Sequence, residues 1–422
     1  MRKSDCLKSI SCFKISAKYK GITMKSDFSA RPSALGYLYQ TQYSLLLLLN
    51  NDSDAELALE NLDDASFEDK GTPKELLQFK FHVKEITTLA EYSPELWKTL
   101  RVWATLVKEN KVSPNSVVFS LLTTAEVKVG SVLELLCPHR QDKRETVCKA
   151  LLHIAETSKN KDLKPAFEAF RGLSQENRQE MINSISLLDS SMDFGDIVRS
   201  IKKLLSVSVR YEHVDLVYER LEGWWLDRVV KHLLGYQPGT ITRLETTQKI
   251  ADIAEEYKAD SLPIEFLDAV PGNAYDPAND QRMFVHQLRA IGVVPRRIEL
   301  AVLDYYRAAT QRSKWIREDL LVDEELEKYE RRLEEEWERY SLACYEKVQG
   351  KDDDAALKEC GREIYNKIET GFDIRIRPRV TAPYVMRGSY HMLANAQQPR
   401  VYWHPKFLEK ISEILSKIPE LK

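Results

Sequence analysis

The sequence predicts a mixed α/β amino-terminal domain followed by mostly helical middle and carboxy-terminal domains. Three observations predict this. Glu75 to Val83 alternates, with Leu77, Phe79, Phe81 and Val83 on one side and Gln78, Lys80 and His82 on the other, which is the two-residue period of a strand. Ser116 to Thr124 is almost continuously apolar through Val117, Val118, Phe119, Leu121 and Leu122, as in a strand buried on both faces. From Val132 onward strand signals fade, and apolar residues recur every three or four positions instead.

The elements follow in order. Good helix formers after Gly36 lead into Thr41 to Leu49, and Asn50-Asn51-Asp52 stops the run, which reads as a buried first helix. Ala55 to Glu60 is a first strand and Asp64 to Glu68 a second, with Lys70-Gly71-Thr72-Pro73 as the turn before Glu75 to Val83. Ser93-Pro94-Glu95 opens a helix carrying Leu96, Trp97, Leu100, Trp103 and Leu106, and Ser116 to Thr124 closes the α/β core. Segments 142–157, 163–171, 174–188 and 195–205 read as short helices, and helices dominate from Tyr211 to Cys360, including the Trp224-Trp225 element. Asn273-Ala274-Tyr275-Asp276-Pro277 marks a loop. Between Tyr305 and Val348, Val322, Leu326, Tyr329, Leu333, Trp337, Tyr340 and Cys344 form one helical stripe. Phe372 to Arg377 alternates like a strand. The expected division is a basic extension over 1–27, the α/β domain over 28–140, a helical middle over 141–234 and a mostly helical domain over 235–422.

At 422 residues the chain exceeds one ordinary core. A hydrophobic content of 43%, a charged content of 30% and a net charge of −3 describe a globular protein without a whole-molecule basic field, so any contact with nucleic acid must use a local patch. The six cysteines are scattered and form no C-x-x-C pair, which fits reduced thiols in a cytoplasm better than a zinc site or a disulfide framework. The longest apolar run, Leu45 to Leu49, is too short to cross a bilayer. The first 25 residues are basic but lack a continuous apolar core, so they do not read as a secretory signal. Met24 is the expected start of translation, and a basic arm that touches DNA is the second reading.

The densest chemistry lies between Glu60 and Lys80. Acids stand at Glu60, Asp63 and Asp64, and Gln78-Phe79-Lys80 follows on the returning strand, fourteen residues after Asp64. Hydrolysis of a phosphodiester needs an activated water and neutralisation of the phosphate oxygens, and a Mg²⁺ ion held by oxygen donors supplies both. A nearby lysine orients or deprotonates the water, or balances charge in the transition state. Asp64 and Gln78 are candidate metal ligands, Glu60 a supporting acid and ligand, and Lys80 the catalytic cation. Gln78 offers only a neutral amide oxygen, so the Phe79 carbonyl and a second acid, Glu60 or Asp63, must make up the charge. The same residues also suit a solvated hairpin face. His82 reads as a surface or helix-contact histidine, and Tyr37, Tyr39 and Tyr43 as packing residues rather than base-stacking ones. No G-x-x-x-x-G-K-[ST] run is present, which argues against an NTPase.

Ser33-Ala34-Leu35-Gly36-Tyr37-Leu38-Tyr39-Gln40, Glu60-Asn61-Leu62-Asp63-Asp64 and Gln78-Phe79-Lys80-Phe81-His82 together resemble the amino-terminal domain of double-stranded DNA endonucleases from bacterial anti-phage systems. Those belong to the PD-(D/E)xK, restriction-endonuclease-like superfamily, and the resemblance covers roughly Ser33 to Thr124. Met386-Arg387-Gly388-Ser389-Tyr390-His391-Met392-Leu393-Ala394-Asn395, followed by Trp403-His404-Pro405, resembles the terminal domain of effectors in ABC three-component defence systems of the Lamassu type, which also act against plasmids. The resemblance implies a restriction-endonuclease-like mixed sheet and a Mg- or Mn-dependent endonuclease for double-stranded DNA. It also implies partners, an SMC-like ATPase and a small accessory subunit, that hold the enzyme inactive until foreign DNA is sensed. By motif position, Asp64 and Gln78 take the metal-ligand places, Lys80 the catalytic-lysine place and Glu60 the supporting acid. Gln78 departs from the superfamily's usual second carboxylate. A cytoplasmic enzyme that oligomerises when active is expected. The alternative is a non-catalytic subunit whose nuclease-like domain binds DNA or partners without cutting. His391 and His404 have no acid or cysteine at ligand spacing and read as core or interface histidines in a docking domain.

Overall fold

A computed structural model describes residues 30–82, 87–138, 143–237, 239–272 and 279–409. The basic arm, Met24, Val83 and the 273–277 loop lie outside the described residues.

Helix α1 runs from Arg31 to Asn50 and is buried almost without a break from Tyr39 to Leu49, as a helix apolar on most sides must be. Strands β1 (Glu56–Leu59), β2 (Ala65–Asp69) and β3 (Thr72–Lys80) form an antiparallel meander. Lys70 and Gly71 have φ of +51° and +79°, and the two residues close a tight hairpin between the paired Asp69 and Thr72. The turn is therefore shorter than the Lys70 to Pro73 expected, and β3 starts earlier. A register shift at Phe67/Glu68 admits Pro73 into the strand opposite Glu68, which is where a residue without an N–H is tolerated.

The short strand β4 (Thr88–Leu89) precedes α2 (Pro94–Lys108), which is followed by β5 (Val118–Thr123) and β6 (Glu126–Val127). β5 runs parallel to β3, and β4 and β6 make a separate two-stranded sheet. Helices α3 (Arg144–Thr157), α4 (Lys164–Arg171) and α5 (Gln175–Asn183) follow. The expected helix over 174–188 ends at Asn183, and Ile185–Leu188 is strand β7, parallel to β5. Four residues with Ile185 and Leu187 buried are too few for their period to stand out from the preceding helix. After α6 (Phe194–Leu205) and α7 (Val214–Leu233), Ile241–Thr242 forms β8, which pairs antiparallel with β1. The main sheet has the order β7-β5-β3-β2-β1-β8.

The chain divides into two compact units. The first contains the main sheet and extends to Val198, with Arg228–Arg243 added. Both faces of β3 are covered there. Phe79 and Phe81 meet Tyr39 and Tyr43 of α1, with Phe81 stacked on Tyr39 at 4.7 Å. Leu76 points the other way, into a core built from Trp97, Leu100 and Trp103 of α2, Phe119 and Leu121 of β5, and Phe167 and Phe170 of α4. Trp97 lies edge-on to Phe167 at 4.6 Å, and Trp103 lies 5.3 Å from Phe119. Burying each of these large side chains contributes about 1.5–3 kcal/mol. The segment from α3 to β7 thus shares the core of the sheet.

The second unit is helical. It holds α8 (Arg243–Glu256) from Leu244 onward, α9 (Met283–Ala290), α10 (Pro295–Arg317), α11 (Asp323–Glu346), α12 (Asp354–Thr370) and α13 (Pro383–Ala394). Tyr329, Leu333, Trp337 and Cys344 of the α11 stripe are buried, whereas Val322 is 60% exposed. Tyr329 Oη donates to the Ile374 carbonyl, and Trp337 Nε1 donates to that of Tyr402. The middle of the stripe is therefore core, while Leu326 and Tyr340 are half-buried. The strand expected at Phe372–Arg377 is not formed. Its carbonyls are taken instead by Tyr329 Oη at Ile374 and by the Arg332 guanidinium at Arg375 and Ile376, and backbone groups satisfied by side chains need no neighbouring strand.

α10 and α13 cross with almost no gap. A Cβ added to Gly388 would sit 2.2 Å from the Asp304 carbonyl oxygen and 2.4 Å from the Ala308 Cβ. Gly388→Ala is expected to force the helices apart, lowering stability by about 1–3 kcal/mol, read as a lower thermal midpoint. An unchanged midpoint would refute the close crossing.

Candidate active site

The site is built on the turn between β1 and β2 and on the far end of β3. The Glu60 N–H donates to the Asp64 carbonyl at 3.1 Å, closing the turn. Glu60 sits at φ +52°, a left-handed conformation that costs a residue with a Cβ about 1–2 kcal/mol. A glycine would adopt it freely.

Asp63 points into the protein. Its carboxylate accepts from Trp103 Nε1 at 2.5 Å and from the Asp64 N–H at 3.0 Å. Burial pushes its carboxyl up to about 7, and the neighbouring Asp64 charge adds to the rise, while the Trp103 hydrogen bond and Lys80 oppose it. Asp63 thus fastens the turn to α2.

The β2–β3 register pairs Ala65 with Leu77, and continuing it by one residue sets Asp64 opposite Gln78. Asp64 Oδ2 accepts the Phe79 N–H at 2.8 Å, so the carboxylate is fixed against β3 with Oδ1 outside that bond. Gln78 is 6% exposed, next to Leu121 in the sheet. Its face of β3 is therefore covered and is not the solvated hairpin face that composition also allowed. Two residues on, Lys80 pairs with Thr123 and is half-buried where β3 ends. Asp64, Gln78 and Lys80 are thus brought to one end of β3.

Glu60 joins them through Gln40, a residue outside the acid-and-lysine motif. The Gln40 amide nitrogen donates to Glu60 Oε1 at 2.9 Å and to the Asp64 carbonyl at 2.6 Å. Gln40 is buried on α1. It stands inside the motif that carries the resemblance, yet nothing in its spacing reveals that it reaches the acids. The Trp103–Asp63 bond is equally hidden from the sequence. His82 forms a 2.8 Å pair with Glu95 of α2, and its N–H donates to the Thr124 hydroxyl, as a helix-contact histidine. Tyr39 and Tyr43 pack on Phe79 and Phe81 rather than lying open to bases.

Among the described residues, no group of three or more His, Cys, Asp or Glu is placed to hold a metal ion. The candidate donors are two carboxylates, Asp64 and Glu60, and the Gln78 amide. This sparse oxygen set suits Mg²⁺, which keeps several waters and takes one or two carboxylates plus substrate phosphate. His391 and His404 are buried. Burial and the nearby Arg282 and Arg387 hold the His391 imidazole down to about 3, so it is neutral. It packs among Phe284, Tyr365 and Trp403.

Residues 284–411 match the family model described as C-terminal domain 7 of the ABC-three component (ABC-3C) systems. The match covers well under half of the chain and supports its membership in such a defence system. No curated protein sequence matches the chain. Among solved structures, the chain is similar to an Acinetobacter baumannii Cap4 SAVED/CARF-domain containing receptor with the cyclic trinucleotide 3'3'3'-cAAA, at 12% identity and TM-score 0.31, over 66% of this chain and 66% of that one. A second structure of that receptor gives 12% identity and TM-score 0.32, over 66% of this chain and 68% of that one. Such TM-scores do not define a shared fold. No helix among the described residues is long and apolar enough to cross a membrane.

Proposed function

We propose that this protein is a metal-dependent endonuclease that cuts double-stranded DNA in bacterial defence against phages and plasmids. The observation that carries the reading is the meeting of Asp64, Gln78 and Lys80 at the end of β3, with Asp64 pinned to the Phe79 N–H. The order helix, three-stranded meander, helix, parallel strand suits the restriction-endonuclease-like architecture that the resemblance implies.

In this reading Asp64, Gln78 and Glu60 hold Mg²⁺ or Mn²⁺. The ion, when bound, lowers the pKa of its water and neutralises phosphate oxygens. Lys80 places a cation beside the phosphate as negative charge builds on it. Asp63, tied to Trp103, keeps the turn from swinging away. The match at 284–411 makes control by partner subunits part of the proposal: an SMC-like ATPase and a small accessory subunit hold the cytoplasmic enzyme inactive, and oligomerisation on release brings two sites to one duplex.

The test incubates plasmid DNA with purified full-length protein and Mg²⁺ or Mn²⁺, with and without the partner ATPase. Linear product that disappears with EDTA is the expected result. No cleavage under any of these conditions, with DNA or partner binding retained, would favour the non-catalytic subunit instead.

A further inference from the structure

We infer that Gln40 is a positioning residue that holds Glu60 over the site for a divalent cation, an inference that rests on the nuclease reading above. One amide nitrogen on α1 serves two acceptors in the β1–β2 turn, Glu60 Oε1 and the Asp64 carbonyl. Those two residues are also joined by the Glu60 N–H to Asp64 carbonyl bond. Gln40 thus closes a small ring of hydrogen bonds around the two acids.

That ring leaves one oxygen of each acid outside its bonds for a ligand. Each acid uses one carboxylate oxygen inside it or against β3, Glu60 Oε1 on Gln40 and Asp64 Oδ2 on Phe79. Glu60 Oε2 and Asp64 Oδ1 remain outside those bonds. Glu60 itself is exposed, whereas Gln40 is buried. Glu60 keeps a left-handed backbone while its carboxylate is held by a buried amide. A neutral amide is also the suitable clamp. A lysine or arginine in its place would neutralise the acid it positions, whereas an amide orients a carboxylate and leaves its charge for a cation. Outer partners of this kind typically change metal affinity tenfold to a hundredfold when removed.

The experiment uses the full chain and Mn²⁺ as the probe, titrated calorimetrically, with thermal unfolding of the metal-free protein alongside. Gln40→Met keeps the volume and removes both donors. It is expected to weaken Mn²⁺ binding by roughly tenfold to a hundredfold. In a Glu60→Ala background the same substitution is expected to cost much less, because residues acting as one unit are not additive. Unchanged Mn²⁺ affinity in Gln40→Met, or a full additional loss in the double variant, would overturn the inference.

Glu60→Gly covers the case in which Gln40→Met fails to fold. It removes the carboxylate and relieves the left-handed backbone, so the metal-free protein should melt no lower while Mn²⁺ binding weakens. Wild-type Mn²⁺ affinity in Glu60→Gly would remove the cation from the argument. Asp64→Asn separates the two levels of the proposal. If it too binds Mn²⁺ as wild type does, the nuclease reading of the site fails. If it loses binding while Gln40→Met does not, only the role of Gln40 fails.

Discussion

In Lys80→Ala, the proposed cleavage of plasmid DNA is expected to fall by about a hundredfold or more, the typical loss when a group that stabilises transition-state charge is removed. The protein itself is expected to melt as the wild type does. The second half of this expectation comes from where Lys80 stands. It is the last residue of β3, and its backbone is already secured, with the Lys80 carbonyl accepting from Thr124 and the strand paired through Thr123. The core beneath is held by Leu76, Trp103 and Phe119, none of which the truncation touches. Lys80→Arg keeps the charge but replaces a compact ammonium with a planar fork, and is expected to restore only part of the rate. A Lys80→Ala protein that cuts at the wild-type rate would remove this residue from the mechanism.

The second large effect concerns the metal. Asp64→Asn and Gln78→Ala are each expected to weaken Mg²⁺ and Mn²⁺ binding, with Asp64→Asn the stronger because it removes a charge. Asn is the informative replacement for Asp64. Its amide oxygen can still accept the Phe79 N–H that Asp64 Oδ2 now accepts, so the turn stays attached to β3 while the carboxylate is gone. Alanine there would also strand that N–H, at a cost of about 1–3 kcal/mol, and confuse folding with binding. Gln78→Glu supplies the second carboxylate usual in the superfamily that the sequence resembles, and is expected to bind the ion at least as tightly. Calorimetry decides between these outcomes. Unchanged affinity in both Asp64→Asn and Gln78→Ala would contradict the ligand assignment.

The sequence shows the placement of Asp64, Gln78 and Lys80 because a hairpin is local. A two-residue turn and a period of two are enough to bring an acid on one strand opposite a pair on the next. It shows the burial of the α11 stripe less well, since a helical period reports that one face is apolar and not what covers that face. The contacts that complete the site are invisible for a different reason. Gln40 lies 20 residues from Glu60 and Trp103 lies 40 from Asp63, and no period links residues on different elements. Strands β7 and β8 are four and two residues long, below the length at which alternation can be told from chance. The misread segment 372–377 alternates, but its partners are side chains of α11, and alternation alone cannot tell a strand from an irregular stretch with the same burial.

The two borders of the main sheet come late in synthesis. β1, near residue 57, finds its outer neighbour only when Ile241 and Thr242 have been made, and β5 finds its own only at Ile185–Leu188. Until then a growing chain carries a four-stranded mixed sheet, β5-β3-β2-β1, whose outer rows of N–H and C=O groups are unclaimed, and such rows template association with other chains. The same holds for an excised fragment. A piece cut at residue 140, where the strand and helix pattern of the α/β core runs out, would contain Asp64, Gln78 and Lys80 yet leave both borders open. Residues 185–188 and 241–242 therefore act as late-arriving seals, and a fragment that keeps both borders of the sheet closed must carry the chain through Arg243.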